Sequence, residues 1–183
     1  MDRRSFVLLS AATLAGTAAM GRARGRGAVH GLDAWLSRFK SFPGSTSFRI
    51  DIGGYQLASD SAATQFFVAS SIKTFILCQY LRDVEAGVLS EDEQLPVNDS
   101  VRAAASPLLL ELTGTTPARS ILEAMITHSD NTATDIALLR VGPDRVRSLI
   151  AALGLGATLI PDSTRRFFSY NAGAPFGVDI GWS

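Results

Sequence analysis

Apolar and polar positions change their spacing along this chain, and each change predicts a different element. Leu32, Trp35, Leu36 and Phe39 recur at helical intervals, so "GLDAWLSRFKSF" is predicted to be a short amphipathic helix. Phe48, Ile50 and Ile52 then alternate with Arg49 and Asp51, Gly53-Gly54 supplies a two-residue turn, and "YQLAS" returns as the second strand of a β-hairpin. From Ser70 onward the apolar spacing is helical and stays so. Thr116-Pro117 is expected to cap and begin "ARSILEAMITH"; Pro143 begins "DRVRSLIAAL", Gly154 stops it, and Ser163 caps "TRRFFSY". No repeat or low-complexity linker interrupts this order.

The N-terminus follows another rule. "MDRRSFVLLSAATLAGTAAMGRARGRG" opens on Arg3-Arg4, runs apolar from Phe6 to Met20 and becomes small and basic, the pattern of an export signal of twin-arginine type. A retained membrane anchor is the competing reading, but the apolar run falls short of the roughly twenty residues needed to span. Residues 1–28 are therefore expected to be a signal and 29–183 one domain, with cleavage after Ala19 or Ala23 equally compatible. The product is expected to be exported, periplasmic or extracellular, with no stable membrane anchor after signal removal.

Composition narrows the function classes. A chain of 183 residues that is 46% hydrophobic and 19% charged suits one globular domain with a sizeable core. Signal removal takes five of the 17 basic residues and one of the 17 acidic residues, leaving a net acidic domain with nothing to hold a phosphate backbone, so no nucleic-acid partner is expected. The single Cys78 cannot form an internal disulfide and reads as a small buried hydrophobe. No spacing of His or Cys suggests a metal, and no cofactor is expected.

Lys73 needs its own explanation, because only it and Lys40 are lysines and arginine is otherwise the cation of choice. It interrupts the apolar run "FFVASSIKTFILCQYL", three residues after Ser70. Positions i and i+3 share a helix face, so the amine is expected to reach the Ser70 hydroxyl directly. Apolar surroundings such as Phe66, Phe67, Val68, Ile72 and Phe75 would disfavour its charge and allow it to act as a base. Alone, S-x-x-K also arises by accident on a helix that exposes a serine and a lysine. "MITHSDNTATDIAL" adds Ser129-Asp130-Asn131 between two apolar helices, which by itself is compatible with a capped turn.

Taken together, in this order and about sixty residues apart, the two motifs resemble those of the penicilloyl-serine transferases, most closely the class A β-lactamases and their relatives. The resemblance runs from the hairpin through "ASSIK", "GVLSEDEQLPV" and "THSDNTATDIALLRVGPDRVRSLIAALGL". It implies an α/β (α+β) fold of β-lactamase/transpeptidase type, a helical subdomain with a small, incomplete antiparallel sheet. It also implies that Ser70 is the acylated nucleophile at a helix N-terminus, Lys73 its proton acceptor, Ser129 the group that passes a proton to the leaving nitrogen, Asn131 a ligand for the substrate's acylamide arm, and Asp130 a structural residue that fixes its loop. The Ser70 N–H would serve as an oxyanion donor.

The departures carry expectations too. The family's Lys-Thr-Gly motif is absent, and a chain ending at "FGVDIGWS" reads as cut short, its sheet incomplete and open to self-association. No glutamate follows Glu123, so the usual deacylating base is lacking; "LIPDSTRRFFSYNAG" offers only Asp162. His128 beside Ser129 reads as a helix-end residue rather than a triad member, and Asp179 with Arg165 or Arg166 resembles the ion pair that closes the family's surface loop. The expected function is a serine hydrolase acylated on Ser70 by β-lactams or related amides and esters, with slow deacylation and a small-molecule β-lactam or peptidoglycan-like peptide as partner. The alternatives are a penicillin-binding, D-alanyl peptidase-like protein and a non-catalytic remnant.

Overall fold

The computed structural model describes residues 32–175 and 177–181, and the expected export segment lies outside them. The chain divides into two compact units that meet at Phe67/Val68 in the sequence.

In the first unit, helix α1 (Leu32–Lys40) precedes strands β1 (Phe48–Ile52) and β2 (Tyr55–Asp60). The strands pair antiparallel from Phe48↔Asp60 to Ile52↔Tyr55, with a register shift between Ile50 and Asp51. Gly53 (φ +58°) and Gly54 (φ +81°) both adopt the left-handed backbone that a two-residue turn of this kind requires. Phe39 meets Phe48 edge-on at 5.8 Å, and Lys40 pairs with Asp60 at 3.0 Å, so α1 is joined to the hairpin. None of the described residues 32–67 whose exposure is assigned is fully buried.

The second unit holds the core. A short 3₁₀ turn (Ala69–Ser71) leads into α2 (Ile72–Glu85), followed by β3 (Gln94–Val97), β4 (Gly114–Pro117), α3 (Ala118–Thr127), α4 (Asn131–Val141), α5 (Pro143–Ala152) and α6 (Thr164–Asn171). Helix α4 is central: residues 131–138 and Val141 are buried, and it packs against α2, α3, α5, α6 and β3. A helix buried around its circumference for most of its length shows almost no amphipathic stripe. Its neighbours carry the stripes instead, with Ile76 and Tyr80 from α2, Ile121 and Met125 from α3, and Val146 and Ile150 from α5 fully enclosed in the same core.

The expected caps at Pro143, Gly154 and Ser163 are present: Pro143 is the first residue of α5, Gly154 (φ +75°) follows it, and Ser163 Oγ accepts from the Arg166 N–H at 3.1 Å. One expectation changes. Thr116 and Pro117 belong to β4, which pairs antiparallel with β3 from Gln94↔Pro117 to Val97↔Gly114, and Pro117 serves as the N-cap of α3 rather than its first residue. Two four-residue strands more than fifteen positions apart leave no local signature, because each is defined only by its partner. The mixed α/β class with small antiparallel sheets stands, as two separate two-stranded sheets among the described residues.

Candidate functional site

Three elements of the second unit converge on one pocket. Ser70 lies in the 3₁₀ turn, one residue after Ala69, whose φ of +49° is left-handed for a residue with a side chain. Lys73 is in the first turn of α2. Ser129, also left-handed at φ +55°, Asp130 and Asn131 form the corner between α3 and α4. Ser70 and Ser129 are exposed, whereas Lys73 is only 3% exposed.

The hydrogen bonds order these groups differently from the expected direct Ser70–Lys73 contact. Lys73 Nζ donates to the Ser129 carbonyl at 2.6 Å, to Ser129 Oγ at 2.9 Å and to Asn131 Oδ1 at 2.9 Å, and none of its hydrogen bonds goes to Ser70. Ser129 Oγ donates onward to Ser70 Oγ at 2.9 Å. Ser129 Oγ, rather than Ser70 Oγ, is the hydroxyl that Lys73 reaches, and it links the two residues. Burial pushes the Lys73 amine below the usual lysine range, against the charges of Asp130 and Asp135, which pull it up. Phe66 and Phe67, expected among its apolar surroundings, are instead exposed, and the amine is enclosed by polar groups of the α3–α4 corner.

Asp130 is fully buried and holds the corner. Its Oδ1 accepts from the Ala133 N–H at 2.8 Å, capping α4, and its Oδ2 accepts from the Leu108 and Leu109 N–H groups at 2.9 and 3.0 Å. One carboxylate thus fastens two chain segments. Asn131 is engaged at both ends of its carboxamide, by Lys73 and through Nδ2 to the Ala104 carbonyl at 2.8 Å. The site-facing loop is stitched further by Ser106 and Thr132, whose hydroxyls lie 2.7 Å apart, with the Thr132 N–H donating to Ser106 Oγ at 2.7 Å.

An open pocket of about 540 Å³ is lined by Ser70, Ser129 and Asn131 and by Ala105, Ser106, Pro107 and Leu110. His128 also lines it; its backbone N–H closes the end of α3 on the Ala124 carbonyl, and the residue is exposed. The pocket-lining residues between 105 and 110 were not singled out from sequence. Ser106-Pro107 is a turn-prone dipeptide, and nothing local marks it as facing Ser70.

Elsewhere the expected partners resolve. Arg165, not Arg166, pairs with Asp179, through Nε at 3.1 Å and a terminal nitrogen at 2.5 Å. Asp162 is held between Arg147 at 2.5 Å and Arg166 at 3.0 Å, and these guanidinium groups keep its carboxyl below the usual range. That suits an ion pair and not a base. Asp135 faces the start of α6, accepting from the Thr164 N–H at 2.6 Å and the Arg165 N–H at 3.1 Å, and its burial raises its pKa to about 6. Cys78 is a free thiol, only partly buried. Among the described residues no cluster of His, Cys, Asp or Glu is arranged to hold a metal, and no helix is long and apolar enough to cross a membrane.

Solved structures similar to this one carry the same fold. A beta-lactamase from Sphaerobacter thermophilus DSM 20745 superposes with a TM-score of 0.60 at 26% identity, over 68% of this chain and 48% of its own. PBP-A does so at 0.60 and 26%, over 72% of this chain and 51% of its own. The chromosome-encoded beta-lactamase of Vibrio parahaemolyticus reaches 0.52 and 26%, over 56% of this chain and 40% of its own. This chain therefore spans about half, or less, of the length of these proteins. No curated protein matches it. The profile of the beta-lactamase enzyme family matches residues 32–174, most of the chain, and with the fold and the Ser70, Lys73 and Ser129 geometry in place the chain belongs to that family.

Proposed function

We propose that this protein is a serine hydrolase of the class A β-lactamase type, acylated on Ser70 by β-lactams or related amides and esters and released slowly. The observation that carries the reading is the continuous hydrogen-bonded path from Ser70 Oγ through Ser129 Oγ to Lys73 Nζ, both steps 2.9 Å. A serine hydroxyl attacks a carbonyl only as its proton leaves, and this path ends on an amine whose affinity for protons is lowered by burial.

The three donations of Lys73 are those of an ammonium. In the neutral amine the path reverses: Ser70 donates to Ser129, and Ser129 donates to Lys73. Ser70 Oγ then forms a bond to the carbonyl carbon while its proton moves to Ser129 and the Ser129 proton moves to Lys73. Collapse of the tetrahedral adduct breaks the carbon–nitrogen bond, and the proton returns through Ser129 to the leaving nitrogen. Hydrolysis adds water to the resulting ester, breaks the bond to Ser70 Oγ and restores its proton. Asn131 holds Lys73 and presents its carboxamide to the acylamide arm, and the positive end of α2 with the Ser70 N–H favours the oxyanion.

Slow release is supported by the second half of the site. Asp162 is the one carboxylate of residues 159–173, and it is committed to two arginines, so no carboxylate in this stretch is free to activate water. A variant of PBP-A, 26% identical to this chain, forms an acyl-enzyme with penicillin G, which favours a penicillin-binding, D-alanyl peptidase-like role as the second reading. Residues 1–28 are proposed to direct export to the periplasm or the exterior, where either substrate class is met. Intact mass after incubation with a fluorescent penicillin tests the reading: one adduct, lost in Ser70→Ala, is expected. Persistence of the adduct in that variant removes Ser70 from the mechanism, and no adduct at all leaves a non-catalytic remnant.

A further inference from the structure

The apolar pocket residues Pro107 and Leu110 lie on a loop held by a residue that plays no part in the proton path. Arg102 is 7% exposed, and its guanidinium reaches three points of one loop. Nε donates to Asp99 Oδ1 at 2.6 Å, one terminal nitrogen donates to the Leu110 carbonyl, and the other donates to Thr113 Oγ1 at 2.8 Å. The loop is fastened also by Asp130, through the N–H groups of Leu108 and Leu109. Leu110 and Pro107 therefore lie on a loop held by two buried charged anchors, one of which also caps the helix that carries Asn131. A planar guanidinium makes such divergent contacts at fixed angles, which an ammonium cannot.

We propose that Arg102 is a positioning residue that sets the place of the Pro107–Leu110 wall, and thereby makes the Ser70 pocket prefer compounds whose acyl arm is apolar. Pro107 and Leu110, with Ala105, are apolar residues lining the pocket that Ser70, Ser129 and Asn131 also line. An apolar arm bound between the carboxamide of Asn131 and Leu110 gains only if the wall stays within contact distance, because dispersion and burial fall off within an ångström. Removing Arg102 frees the Leu110 carbonyl and Thr113 hydroxyl from a common partner and lets the wall move away.

This inference rests on the acylation reading, and the experiment separates the two. Second-order rate constants for adduct formation are measured with benzylpenicillin, which has an apolar arm, and with 6-aminopenicillanic acid, which has none. The ratio of the two is compared in wild type, Arg102→Lys, Arg102→Ala and Leu110→Ala. The ratio is expected to fall about tenfold in all three variants, the scale of one lost apolar contact. Arg102→Lys guards against a variant that fails to fold, since it retains the charge paired with Asp99, and Leu110→Ala removes the wall without touching the arginine. A ratio unchanged in Arg102→Lys or in Leu110→Ala, even with both rates reduced, makes Arg102 merely structural and overturns the proposal. Failure of both compounds to acylate wild type sinks the acylation reading instead. The wall is then judged by non-covalent binding to Ser70→Ala, and stands only if benzylpenicillin outbinds 6-aminopenicillanic acid there and Arg102→Lys removes the margin.

Discussion

Ser129 Oγ stands 2.9 Å from Ser70 Oγ, and the lysine of the Ser70 motif touches the first of these hydroxyls and not the second. Ser129 is thereby both the neighbour of the nucleophile and its only hydrogen-bonded link to Lys73 among the contacts of that amine. The arrangement makes the two sequence motifs one unit.

Ser129→Ala is expected to interrupt that unit. Adduct formation at Ser70 should slow by about a hundredfold, the usual scale for losing a proton-transfer partner, while the fold is retained because Asp130 still caps α4. Time-resolved intact mass reads the rate, and a change of only a few-fold would mean that Lys73 reaches Ser70 without Ser129.

Lys73→Arg keeps the charge and approximate reach but removes a usable base. Acylation should fall about a hundredfold or more. In wild type the rate should climb with pH and level off below the ordinary lysine range, because burial lowers this amine. A rate in Lys73→Arg within a few-fold of wild type would show that the residue acts only as a fixed charge.

Asp135 gives a pH dependence of stability with a definite sign. Its pKa is raised to about 6 in the fold from 3.8, so between these values the folded chain holds a proton that the unfolded chain has released. Stability from this group is full below about pH 4 and is lost as pH rises through about 6, by on the order of 3 kcal/mol. Urea unfolding of wild type against Asp135→Asn across pH 4 to 7 checks it: the difference between the two should shift in favour of the variant as pH rises. A constant difference contradicts the assignment.

The first unit should be the weaker one. None of the described residues 32–67 whose exposure is assigned is buried, Ile52 is 61% exposed, and a two-stranded sheet is marginal in water. Amides of β1 and β2 are expected to exchange far faster than those of α2 and α4, and size-exclusion profiles should broaden with concentration as the open hairpin edges pair between copies. Hairpin amides as protected as those of α4, on a monodisperse monomer, would contradict this.

What the sequence determined by itself is whatever is written locally. The amphipathic spacing of Leu32 to Phe39, the glycine pair of the hairpin, the proline that starts α5, the serine that caps α6 and the Ser-Asp-Asn corner all act over a few residues, and so they are legible in the sequence alone. The i, i+3 spacing of Ser70 and Lys73 is legible for the same reason. The remaining features depend on segments far apart in the chain. β3 and β4 exist because Gln94 meets Pro117; Ser129 links Ser70 and Lys73 because Asp130 caps α4 while gripping Leu108 and Leu109; Arg165 rather than Arg166 reaches Asp179. Arg102 looks in sequence like any other arginine on a polar stretch, and it becomes a pocket residue only when folding closes its loop on Leu110 and Thr113. Side-chain periodicity reports which face is buried, and it carries no record of which distant group that face will meet.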